Sequence, residues 1–172
     1  MWVDANAMDR YELTGRRARK LLKRLIGAKK YKTYPRSRRV VIKNQTKVYE
    51  IVAQRSQVYV FKNMRDYNKF RKAQKKYNTG YESYGVSCGY NPVDYEAWCV
   101  QPDFEKLGYD PFDAGQVHED EEVLAKVLLA KINPKFLRKK AAVTYMERDD
   151  NDKIENVHLR CINAGIGLRA RA

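Results

Sequence analysis

Residues 40–61 constrain the fold more than any other stretch of this chain. β-Branched and aromatic side chains crowd into three runs there, at 40–43, 47–53 and 57–61. The breaks between them, at Asn44-Gln45 and at 54–56, are short enough for hairpins. Such runs predict three short strands in an antiparallel meander.

The flanking segments have helical rather than strand periodicity. Over 9–27, Ala18, Leu21, Leu22, Leu25 and Ile26 form an apolar stripe at helical spacing. Asp9 and Glu12 have the spacing of a capping box, and Gly27 is placed to stop the helix in a left-handed conformation. Residues 28–39 follow as a basic connector containing Pro35, expected to be too charged for a core. Beyond the meander, Asn63 is positioned to cap a helix over 64–77, with Met64, Tyr67, Phe70 and Tyr77 on its buried side. A further helix is predicted over 118–132, with acids in its first turn and Pro134 ending it. Segments 141–147 and 154–162 look like a closing hairpin across the polar turn 148–153.

The resulting expectation is an α+β fold. It has an antiparallel sheet of about five short strands, a basic N-terminal helix and two further helices. Residues 1–39 would form a basic helical arm and connector, and 40–172 an α+β core containing an acidic Tyr/Gly-rich loop at 78–116. A short strand near 97–100 is expected within that loop.

Charge carries most of the functional information. The chain has 35 Lys+Arg and 21 Asp+Glu in 172 residues, a formal net charge of +14. Residues 1–80 contain 23 bases and 5 acids, residues 81–122 contain 1 and 11, and residues 123–172 contain 11 and 5. The net charge therefore runs +18, −10 and +6 along the chain. A basic first half points to a polyanionic partner, or to pairing with the acidic middle. Segment 94–122 would in that case act as a built-in competitor for the basic face.

Twelve cations fall within the 24 residues from Arg16 to Arg39, with no acid among them. Phosphate backbones neutralise such runs and release counterions. The expected contacts are Arg16, Arg17, Lys20, Lys23, Arg24, Lys29, Lys30, Lys32, Arg36, Arg38 and Arg39. Tyr31 and Tyr34, set among them, would stack on unpaired bases. A second stripe, Arg65, Lys69, Lys72 and Lys76, would extend the same positive surface if both helices flank the meander.

Several classes are disfavoured. No apolar stretch is long enough to span a membrane, and the segment after Met1 does not read as a secretion signal, so an intracellular protein is expected. Three cysteines cannot form a disulfide framework. Cys88, Cys99, Cys161, His118 and His158 lack metal-site spacing, and 149–152 lacks calcium-loop spacing. Nucleotide loops and a nucleophile elbow are missing, so no cofactor is expected.

The leading expectation is a non-enzymatic protein that binds RNA or DNA through the phosphate backbone. The alternative is a structural or assembly protein that docks onto protein partners, or onto copies of itself, through charge-complementary surfaces. A third is a small metal-independent endoribonuclease using His158 and Arg160 with Glu50 or Arg55.

Overall fold

A computed structural model describes residues 5–53, 55–77, 91–100 and 118–149. The three apolar runs form β1 (Arg39–Asn44), β2 (Lys47–Val52) and β3 (Gln57–Phe61), joined by β4 (Tyr95–Cys99) and β5 (Ala142–Met146). The sheet order is β1-β2-β3-β4-β5, and every pairing is antiparallel. Around it lie α1 (Ala5–Ile26), α2 (Ala28–Tyr31), α3 (Tyr34–Ser37), α4 (Met64–Tyr77), α5 (Glu119–Ile132) and α6 (Pro134–Lys139). The α+β class and the five-stranded antiparallel sheet agree with the sequence pattern. Among the described residues, no helix is long and apolar enough to cross a membrane.

Both sheet faces are covered, which explains why β2 is buried at consecutive positions rather than alternate ones. On the first face, Ile42, Tyr49, Ile51, Val58 and Trp98 meet Leu22 of α1, Val127 of α5 and Leu137 of α6. On the second, Val48, Phe61 and Tyr95 meet Tyr67 and Phe70 of α4. Phe61 anchors that smaller core, its ring centroid 4.9 Å from Phe70 and 5.3 Å from Tyr67.

Local signals set the helix ends. The Asn63 side chain accepts the Asp66 N–H at 2.8 Å and starts α4. The His118 Nδ1 accepts the Asp120 N–H at 3.0 Å and starts α5. Pro134 follows the end of α5 as expected, and it also opens α6. Asn133 caps that turn by accepting the Phe136 N–H, and a proline at a first helical position forfeits no bond. Gly27 adopts φ 88°, ψ 152° instead of the left-handed helical conformation, a region that glycine alone enters readily.

Helices α1 and α5 run side by side in the same direction. Gly15 lies against His118, Arg19 against Asp120, and the Lys131 Nζ donates to the Leu25 carbonyl at 2.7 Å. Helix α1 begins at Ala5 rather than residue 9, and Leu21 departs from the expected stripe by standing 50% exposed.

Residues 28–39, expected to be a connector too charged for a core, wind into α2 and α3 and place Tyr34 in the core. β5 pairs with β4, whereas its expected hairpin partner, 154–162, lies outside the described residues. Of the loop 78–116, residues 91–100 are described and contain β4, one to two residues earlier than expected.

Candidate nucleic-acid interface

The apolar side of α1 turns toward α5 through Ala18, Leu22, Leu25 and Ile26, leaving five of its basic residues outward. Arg16, Arg17, Lys20, Lys23 and Arg24 are all exposed. Lys29 and Lys30 of α2, Lys32, and Arg36 of α3 continue this exposed series. Among the described residues, none of these nine side chains is ion-paired to an acid. Nine adjacent uncompensated cations repel one another and raise the local positive potential.

The inward cations behave differently. Asp120, fully buried, accepts from the Arg19 Nη1 at 2.9 Å and from the Tyr34 hydroxyl at 2.7 Å. Arg38 approaches the same carboxylate at 3.6 Å and pairs with Glu119. Arg38 sits at φ 52°, held in this left-handed conformation between α3 and β1. Burial, then the Asp120 hydrogen bond and charge, push the Tyr34 hydroxyl well above the ordinary tyrosine range. The acidic first turn of α5 therefore neutralises cations inside the fold. Residues 101–117 of the proposed competitor lie outside the described residues.

These contacts revise the predicted site. Tyr34 is 1% exposed, so its ring cannot stack on a base. Tyr31 is half-buried, packed against the core with its ring 5.9 Å from Tyr34. Arg38 is occupied by the α5 acids. Arg39 projects from the second sheet face, where its Nε lies 3.2 Å from Glu50.

On α4, Arg65, Lys69 and Lys72 are exposed, while the Lys76 side chain lies outside those described. The single surface joining α1 and α4 does not form, because the two helices cover opposite sheet faces. The period of Tyr67 and Phe70 directs α4 inward without specifying which face receives it.

One cationic group was missed in the sequence. Lys131 at the end of α5 and Lys135, Lys139 and Lys140 around α6 are exposed on the layer that also carries α1. Phe136 is exposed beside them, with the Lys140 Nζ 5.6 Å from its ring. The cluster at 138–140 and the +6 charge of the last segment were the available signals.

No protein-family model, curated protein or solved structure matches the chain. The site must therefore be interpreted from its own chemistry. Among the described residues, no group of three or more His, Cys, Asp or Glu is placed to hold a metal ion. Lys126 is a structural cation, buried against the sheet with its Nζ donating to the Arg55 carbonyl at 3.0 Å. Desolvation lowers its pKa, opposed by the Glu122 and Cys99 charges. Of the ribonuclease residues, Glu50 and Arg55 line one cleft, whereas His158 and Arg160 lie outside the described residues.

Proposed function

We propose that this protein binds nucleic acid through the phosphate backbone, using the outward cations of α1, α2 and α3. The observation supporting this reading is the sorting of cations within one short segment. Among the described residues, Arg19 and Arg38 have acidic partners, while nine neighbours from Arg16 to Arg36 are exposed without them. Phosphates relieve that repulsion and release condensed counterions without requiring a particular base sequence. The α6 lysines extend the cationic layer; the α4 stripe lies on the other face and would serve a second contact.

The reading is tested by titrating short single- and double-stranded oligonucleotides across a salt series. Engaging about five phosphates gives a log–log slope of about −4.5 on duplex DNA and about −3.5 on single strands. Reversing Arg16, Lys20, Lys23 and Arg24 to Glu should lower affinity at least about 100-fold at moderate salt while preserving the cooperative melt. Binding that is absent at low salt, or unchanged by this reversal, would refute the proposal.

A further inference from the structure

The second sheet face contains a polar cleft beside α4 that the basic-face reading does not use. Its floor is a row across four strands, Glu50, Tyr59, Ala97 and Thr144, placed opposite one another by the strand register. Ala97 and Thr144 are the small members of this row, and they leave a hollow beside the Tyr59 ring. Arg71 and Gln74 of α4 form one wall. Arg39 and Arg55 also line the cleft. The cavity measures about 150 Å³. A closed cavity of about that size holds a benzene ring, and this cleft opens to solvent, so a larger ring system would enter it by one edge and project outward.

Glu50 makes this more than a gap under a helix. It is 2% exposed, and its Oε1 lies 3.2 Å from the Arg39 Nε. The Tyr67 hydroxyl also hydrogen-bonds this carboxylate, yet among the described residues its Oε2 has no hydrogen-bond partner, nor does the Arg39 Nε. A buried carboxylate oxygen without a donor is unfavourable, so Glu50 Oε2 has the capacity to accept a further hydrogen bond.

The lining restricts what would complete it. A bare phosphate suits the arginines but gives Glu50 no donor. An arginine or lysine side chain suits Glu50 but is repelled by the cations already lining the cleft. The ligand must place donors and acceptors side by side on a flat frame that fits beside the Tyr59 ring. Guanine does so: N1–H and N2–H₂ face a carboxylate, while O6 and N7 accept from guanidinium groups. Adenine and cytosine each offer only one exocyclic donor on that edge.

We infer that the Glu50 cleft binds a guanine base, with Glu50 reading its N1/N2 edge and the surrounding arginines its O6 and attached phosphate. The base comes either from a free guanine nucleotide or from an unpaired guanine in a single strand. The inference does not rest on the α1 surface, which lies on the opposite side of the sheet.

Calorimetric titration of the full chain with GMP, guanosine, AMP, CMP, UMP and inorganic phosphate tests it. GMP and guanosine should both bind, each at least about tenfold tighter than the other nucleotides. Glu50→Gln should weaken GMP binding at least about tenfold. Should that variant fail to fold, Thr144→Phe gives the deciding result. It fills the hollow from an exposed strand position, leaves every charge in place, and should abolish GMP binding. Reversing the α1 cations should leave GMP binding intact, which separates this inference from the proposed backbone contact. A short single strand with one central guanine that binds tighter than GMP assigns the base to a strand, and equal binding assigns it to a free nucleotide. Equal binding of all four nucleotides and phosphate, no binding of GMP, or full binding by Thr144→Phe would each overturn the inference.

Discussion

Replacing Gly15 with alanine tests the packing that holds α1 against α5. In an ordinary helix interior this change stabilises by up to about 1 kcal/mol, because glycine is the poorer helix former. Here a Cβ would stand 2.4 Å from Nε2, 2.6 Å from Cδ2 and 2.8 Å from Cε1 of His118. The imidazole cannot swing away without loss, since it is buried and its Nδ1 caps α5 through the Asp120 N–H. Overpacking of this kind costs about 1–3 kcal/mol, and a lost N-cap about 1 kcal/mol. After subtracting the propensity gain, Gly15→Ala should destabilise by about 1–3 kcal/mol. Urea denaturation followed by far-ultraviolet circular dichroism measures this as a lower midpoint at unchanged slope. The double variant Gly15→Ala/His118→Ser should recover most of the loss, because serine keeps the cap and vacates the space. A single variant more stable than the parent would refute the reasoning, as would a double variant no better than the single.

Further outcomes follow from contacts elsewhere in the fold as well as from this one. Arg19→Ala should cost about 1.5–3 kcal/mol by removing a charged bond to buried Asp120. Lys20→Ala, one residue along and exposed, should change stability by less than about 0.5 kcal/mol, so equal effects in thermal melts would refute the inward–outward division. Burial, then the Tyr59, Asp149 and Glu50 charges, push Tyr95 up to about 12, so the folded state retains a proton that the unfolded chain releases near pH 10. That contribution, about 2–3 kcal/mol, is complete below pH 10 and is lost as pH rises through 12. Tyr95→Phe should therefore flatten the fall in urea midpoint between pH 9 and 11.5. Finally, Gln45 turns the β1–β2 hairpin at φ 56°, so Gln45→Gly should raise the urea midpoint by the equivalent of about 0.5–1 kcal/mol.

Much of the fold was legible because its determinants are local. The β1–β3 runs, the Asn63 cap and the acidic start of α5 each depend on residues within a few positions of one another. Tyr34 was not legible: its ring can be buried because its hydroxyl meets Asp120, 86 positions away. Arg19 and Lys20 look alike in a basic run, and only the angle of α1 against α5 separates one from the other. Glu50 entered the sequence reading only as a ribonuclease candidate beside His158, because four strands and α4 must come together before its Oε2 acquires a cleft around it. The opposite placement of α1 and α4 is likewise a topological fact, invisible to periodicity.

The parallel docking of α1 on α5 has a consequence for assembly. Every strand pairing joins strands that are neighbours in sequence order, whereas Arg19 meets Asp120 across 101 positions. Loop-closure entropy therefore opposes α1 docking more than it opposes formation of the β1–β3 meander. Helix α1 is expected to join last and detach first, and its amides should exchange with solvent sooner than those of β2 and β3. The cations proposed to meet phosphate are thus carried by a helix whose docking on α5 closes a long loop. A polyanion that engages the docked form more tightly than the detached one would draw α1 onto the sheet layer, coupling ligand binding to completion of the fold.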